Sequence, residues 1–391
     1  MKKYWKSVVA GIIIIGFFST GYVVGRGVAQ EELERKLEIF LQVLSLVKNE
    51  YVEKNLDNTK LVYGSIRGLL GSLDDPYSRF MEPKAHQEMR IRLRGSYSGI
   101  GIYIGIKDNQ LTVISPIPGT PAAKAGLKSK DKIATIDGKP TKDMALDVAV
   151  SYIRGPKGSK VKLGIIRGSA KDPKEYVITR ENIVIKSTEL KMLPDDIAYL
   201  KLNTFEKQSA PSEMKGAISE ALRKKAKGLI VDLRNNGGGL LDNAIQIGSF
   251  FIKSGEAIVS TVDRDGTRDV RYSSGNIIWR GPLVVLVNEA SASASEILAG
   301  ALKDNKVATL VGSKTFGKAS VQSVRVLQDD SAVLLTIAKY LTPSGEDISK
   351  KGIMPDIVID LPTKEAEVEE LEKSEKDIQL ERAVEIIKQQ I

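Results

Sequence analysis

Between Val287 and Gln322 the chain carries three serines at alternate positions, Ser291, Ser293 and Ser295, and further on a lysine, Lys318, in a glycine-flanked turn. Residues 282–287 (PLVVLV) predict a short buried strand, residues 295–303 a helix, and residues 307–312 a second buried strand. The serines therefore fall at a strand-to-helix turn, where unpaired N–H groups and the helix dipole favour developing negative charge. An acyl-transfer nucleophile belongs at such a turn. Two other readings fit the same residues. Ser293 and Glu296 have the spacing of a capping box, so Ser293 also suits a helix cap. Residues 312–318 (GSKTFGK) follow the phosphate-loop pattern up to its last position, where Ala319 replaces the hydroxyl residue that would hold magnesium. A phosphate loop must open a helix. Residues 321–327 and 332–338, joined by the Asp329-Asp330-Ser331 turn, predict a β-hairpin instead.

Other chemistries have less to stand on. His86, the single histidine, lies in the polar run 82–89 (EPKAHQEM) and reads as a solvated surface residue. With no G-x-S-x-G elbow, a Ser-His-Asp triad lacks support. The chain has no cysteine and no H-E-x-x-H, so neither a metal site nor a disulfide framework is expected. Its net charge of +9 is spread along the sequence without a basic block interleaved with aromatics, and nucleic acid is not an expected partner.

Around the serine turn the sequence predicts an α/β body. Residues 197–205 read as a strand, 212–224 as a helix and 228–233 as a buried strand, followed by RNNGGGLL at 234–241. Three glycines between a strand and a helix make a turn whose backbone can approach a neighbour closely. Residues 356–361 read as a last strand. The 42% of apolar residues suffices for a full core.

SASASEILAGALKD followed by TFGKASVQ resembles the C-terminal processing peptidases, serine proteases with a Ser–Lys dyad and an embedded PDZ domain. The resemblance implies Ser293 as nucleophile, Lys318 as general base and Gln322 as the residue that holds the lysine. It also implies an oxyanion hole made by the N–H of Gly238 or Gly239 together with that of Ala294. The chain departs from the family at Ala319, usually glycine, and at Ser323, often a second glutamine; neither position carries the reaction. A lysine acts as a base only when neutral. Free lysine titrates near ~10.4, so work near neutral pH needs a drop of about three units through burial, which the flanking apolar strands predict. Residues 71–80 (GSLDDPYSRF) also resemble the family, and their expected job is structural, a helix end tied down by Pro76 and Tyr77.

From about residue 95 to 180 short β-type runs (100–106, 111–114, 131–136, 160–166) alternate with glycine turns, with a helix expected over 141–153. SGIGIYI, PAAKAGLKSKDKI and IDGKP, in that order, resemble a PDZ domain. The resemblance implies that a peptide C-terminus adds a strand to the sheet edge, its carboxylate held by the loop at Ser98, Gly99, Ile100 and Gly101.

At the N-terminus three lysines precede an apolar run, residues 7–25, of about 19 residues, long enough to span a bilayer. The lysine side stays cytoplasmic and the body is expected outside, at the cell membrane. A signal peptide cleaved to release the body competes with this reading, but no small-x-small site precedes Arg26, so an uncleaved anchor is preferred. Residues 31–53 and 61–73 predict helices, and the charged tail at 364–390 predicts a solvated one.

The expected fold is α/β, a mixed-sheet protease core of the tail-specific protease type with an inserted PDZ domain (α+β, a small partly open barrel) and N- and C-terminal helices. Its parts are 1–27, the anchor; 28–94, helical; 95–182, PDZ; 183–362, protease core; and 363–391, the tail. The expected activity is an extracytoplasmic serine endopeptidase that needs no cofactor. Its substrates are exported or membrane proteins with apolar C-termini, recruited or gated by the PDZ domain. The family's use of terminal helices in dimer contacts implies a homodimer. A PDZ adaptor that binds tails on an inert body is the reading from another class.

Overall fold

The computed structural model describes residues 32–360 and 377–391, apart from 108, 109, 118, 143, 145, 169, 171 and 185. The expected anchor at 1–27 lies outside the described residues, and no helix among them is long and apolar enough to cross a membrane. The chain divides into two units, Met1–Leu69 and Leu70–Ile391. In the first, a helix over residues 32–50 carries the predicted apolar stripe, with Leu33, Leu37, Phe40 and Leu41 exposed. A second helix, Asn58–Gly71, begins where Asp57 accepts hydrogen bonds from the N–H groups of Thr59 and Lys60.

The second unit is built on a six-stranded sheet in the order Thr188–Leu193, Ile197–Leu202, Gly228–Asp232, Leu283–Val287, Thr309–Gly312, Ile357–Val358. Its first pair is antiparallel and the rest run parallel. Central parallel strands are covered on both faces and so read as unbroken apolar runs, which is why GLIVD and LVVLV are buried at every position. Alternation divides their side chains between two cores. Leu229, Val231, Leu283, Val285 and Val287 pack with the helices Ala210–Arg223, Leu241–Gly248 and Ala294–Asp304. Ile230, Val284 and Leu286 pack on the other face with Ala383, Ile386 and Ile387 of the C-terminal helix Ile378–Lys388.

That packing corrects the expectation of a solvated tail. The described part of the tail is a core element, because a sparse apolar stripe is enough to cover a flat sheet face. Residues 361–376 lie outside the described residues.

A second sheet runs Arg79–Met81, Ala332–Leu341, Ala257–Asp263, Arg268–Tyr272, and the expected hairpin partner Ser320–Val326 also pairs with Ala332–Leu341. Residues 79–81, placed by sequence in the helical region, thus belong to the protease sheet. The helix Pro83–Arg94 follows, and here His86 departs from expectation: it is buried, and its Nδ1 donates to the carbonyl of Asp330 at 2.8 Å. Its polar neighbours face solvent while the imidazole turns inward onto the hairpin turn.

The inserted domain is an antiparallel sheet, Ile102–Lys107, Gln110–Pro116, Lys132–Ile136, Lys160–Ile166, Lys174–Thr179, around a core of Ile133, Ile136, Val161 and Leu163. Its helix, Leu146–Ile153, starts later than predicted because Thr141 bonds to the strand at Ile133 and Ala134 instead of opening a turn. The flanking strands Ser96–Gly99 and Glu181–Val184 pair with each other, antiparallel.

Candidate active site

Strand Leu283–Val287 delivers the serine turn, and the three serines separate by role. Ser291 Oγ donates to the Leu233 carbonyl at 2.8 Å and Ser295 Oγ to the Asn236 carbonyl at 2.8 Å, both fully buried. The flanking serines therefore staple the turn to the glycine loop, and Ser293 lines a cavity of about 270 Å³. Ser293 is held at φ 55°, ψ −115°, a conformation that costs about 1–3 kcal/mol and persists only where the surroundings impose it. Glu296 reaches back to the Ser293 N–H at 2.9 Å, so the residue heads a helix as the capping-box spacing predicts and faces the cavity as well.

Glu296 is the hub of the site. Its side chain is fully buried and accepts from Thr315 Oγ1 (2.7 Å), Gly317 N–H (2.6 Å), Lys318 N–H (2.9 Å) and Ser293 N–H (2.9 Å). One carboxylate thus holds the backbones of Ser293 and Lys318 together. Tyr340 Oη closes the arrangement by donating to the Lys318 carbonyl. Local pattern exposed only the Ser293–Glu296 half of this hub. The same contacts remove the phosphate-loop reading, since the N–H groups at Gly317 and Lys318 already point at a carboxylate and the segment opens a strand, Ser320–Val326.

Lys318 is half-buried and lines the same cavity as Ser293. Burial lowers its pKa, Arg79 adds to the effect, and Asp75 and Glu296 oppose it. No direct hydrogen bond joins Ser293 Oγ to Lys318 Nζ in this arrangement. Instead Nζ sits 4.4 Å from the ring centroid of Tyr77, a residue that sequence reading had given a purely structural job. Gln322 lines the cavity too, but its amide donates to Ser320 Oγ (2.8 Å) and Thr336 Oγ1 (3.3 Å) and not to the lysine.

The glycine loop abuts Ser293. A Cβ on Gly238 (φ +94°) would lie 2.9 Å from Ser293 Cβ and 2.6 Å from the Ala292 carbonyl oxygen, and one on Gly239 (φ +147°) 2.2 Å from Glu206 N. Only glycine fits either position. The two alternatives for the oxyanion donor are not equivalent. Gly238 N–H donates to Asn236 Oδ1 at 2.9 Å, whereas the N–H groups of Gly239 and Ala294 have no acceptor among the described residues.

The four residues expected to hold a peptide carboxylate divide. Ile100 and Gly101 line a small cavity of about 60 Å³ with Ile102, Ile104, Val150 and Ile153, while Ser98 and Gly99 lie in the strand that leads to it. Ser98 Oγ is buried without a partner. Sequence reading missed Arg154 at this groove: it stacks on Tyr97, 4.7 Å from the ring centroid, and ion-pairs with Glu88 of the helix Pro83–Arg94. No cluster of three His, Cys, Asp or Glu suited to a metal occurs among the described residues.

Residues 196–359 match peptidase family S41, residues 87–166 a PDZ domain and residues 22–85 the activating protease CtpB N-terminal domain. The chain is 40% identical over 325 residues to the carboxyl-terminal-processing protease of Synechocystis sp., covering 81% of this chain and 75% of that protein. It is 39% identical over 316 residues to the carboxy-terminal processing protease CtpA of Bacillus subtilis, covering 81% and 67%. Among solved structures it resembles the photosystem II D1 C-terminal processing protease, with a TM-score of 0.50 and 34% identity, covering 84% of this chain and 89% of that one.

Proposed function

The chain belongs to peptidase family S41, the carboxyl-terminal processing proteases with a PDZ domain, and on that premise we propose that Ser293 and Lys318 are its catalytic dyad. One observation carries the reading: a serine in a strained turn and a half-buried lysine share one cavity, their backbones joined through a single carboxylate.

Neutral Lys318 takes the Oγ proton of Ser293 as Oγ bonds to the substrate carbonyl carbon. The oxyanion that forms is stabilised by the N–H groups of Gly239 and Ala294, donors fixed before the charge appears. Collapse breaks the C–N bond, and the lysine proton leaves with the amine. Water then attacks the acyl-enzyme, giving a proton to Lys318. The ester C–O bond breaks, and that proton returns to Ser293. Because burial lowers the lysine pKa, the neutral base is present at a lower pH than for an exposed lysine. Activity should rise with pH along that limb. Gln322 supports the dyad through the hairpin, by way of Ser320 and Thr336.

The apolar stretch at residues 7–25 supports a membrane-anchored, extracytoplasmic body, with exported or membrane proteins as substrates. The strand Ile102–Lys107 is an edge of its sheet beside an apolar groove, which supports capture of an apolar C-terminus by strand addition. Self-association is better supported for the exposed stripe of helix 32–50 than for the C-terminal helix, whose apolar face is spent within its own chain. Sedimentation of a Leu37→Glu variant tests this, with a fall in mass expected.

The full-length chain should cleave dye-quenched casein, and Ser293→Ala and Lys318→Ala should each reduce cleavage by at least a thousandfold. Casein left intact by the unaltered chain would favour the adaptor reading.

A further inference from the structure

The segment Asp75–Arg79 lies within the match to the activating protease CtpB N-terminal domain, ahead of the matched PDZ and peptidase regions, and it supplies three of the groups around the Lys318 amine. We infer that Tyr77 is a positioning residue for the general base, its ring face holding the amine of Lys318 within the catalytic cavity. The inference rests on the dyad reading above and goes further by naming what holds the lysine.

Tyr77 is itself firmly placed. The Asp75 carboxylate accepts from Tyr77 N–H at 3.0 Å and from Ser78 Oγ at 2.6 Å, and Ser78 Oγ accepts from Thr336 N–H at 3.0 Å. The next residues pair with the hairpin, Arg79 opposite Leu334. The hairpin strand Ser320–Val326 begins two residues after Lys318, so ring and lysine are anchored to one piece of sheet. Tyr77 has its hydroxyl pKa raised by burial and by the Asp75 and Glu296 carboxylates, which keeps the phenol neutral.

The groups facing the amine are Arg79 and Asp75 from this segment and Glu296 from the helix, with Arg92 and Glu206 ion-paired across the cavity. Arg79 repels a lysine cation. The aromatic face attracts one without adding a charge that would tie up the proton. A lysine base has a flexible four-carbon stem and becomes cationic as it takes the serine proton. Attraction to the ring therefore grows as the reaction proceeds, so it favours the transition state over the ground state.

The test is the pH profile of casein cleavage by the full-length chain. Tyr77→Leu should lower kcat about tenfold and move the acid limb down by roughly half a pH unit, because the ring no longer favours the protonated amine. Tyr77→Phe should restore the limb and most of kcat. Arg79→Gln should move the limb upward, the opposite direction. Trifluorophenylalanine at position 77 keeps the shape but weakens the ring's negative face, and should move the limb down even if Tyr77→Leu fails to fold. A limb unchanged by that fluorination, or a Tyr77→Phe variant as impaired as Tyr77→Leu, overturns the inference. Lys318→Ala separates the two ideas: an active variant would sink the dyad, whereas an inactive one with an unmoved limb on fluorination sinks only the role of the ring.

Discussion

Glu296 shows how much depends on single atoms here. Replacing it with glutamine substitutes an amide donor for one of two oxygens that together face four donors. Glu296→Gln should lower stability by about 2–4 kcal/mol, read as a fall in thermal midpoint, and reduce kcat at least tenfold. Ser295→Ala should cost only about 1–2 kcal/mol and leave the pH profile in place, since its hydroxyl serves the Asn236 carbonyl. The sequence made the serine turn, the capping pair and the lysine turn legible, because all three depend on spacing within a few residues. It did not reveal which donors crowd Glu296 from 19 to 22 positions away, nor that Tyr77 meets Lys318. Nor did it show His86 bonding to Asp330 across 244 positions. Local periodicity reports which face is buried, never which distant segment covers it.

The C-terminal helix makes the same point for an element. Its charged composition reads as a solvated run, but Ala383, Ile386 and Ile387 recur at helical spacing and close the second face of the sheet. An ion cluster fastens its start. The Arg234 guanidinium donates to Asp232 and to both oxygens of Asp377, which also accepts the Leu380 N–H as a helix cap. Asp377→Ala should therefore lower stability by about 1–3 kcal/mol, a range held down because Asp377 is partly exposed. Burial would raise the Asp377 pKa, but hydrogen bonds from Arg234 and Leu380 outweigh it and hold the carboxyl below its usual value. Its contribution is thus complete above about pH 4, the unfolded value, and fades as pH falls through the lower folded one. Thermal midpoints of variant and parent should converge in acid. Arg234 opens the RNNGGGLL segment that carries the glycine loop, so the same fastening steadies the proposed oxyanion donors.

For the molecule as a whole, Arg154 stands between the PDZ groove and the proposed catalytic cavity. It lines the groove and pairs with Glu88, and Met89, Arg92 and Leu93 on the same helix line the cavity that holds Ser293 and Lys318. Arg154→Ala should raise KM for a substrate with a free apolar C-terminus by about tenfold, with little change for the same peptide amidated at that end. A uniform loss on both peptides would argue against carboxylate recognition. The chain order of the modules was legible from their phrases, whereas the linking helix was legible only as part of a helical region with a polar run at 82–89. A broader consequence follows from the antiparallel pairing of Ser96–Gly99 with Glu181–Val184. With its two stems zipped side by side, the inserted module leaves and rejoins the peptidase at one spot. Any unit whose ends lie equally close can be spliced there without re-threading the rest. The PDZ domain is thereby an exchangeable cassette, free to drift toward new ligands while the peptidase sheet stays as it is.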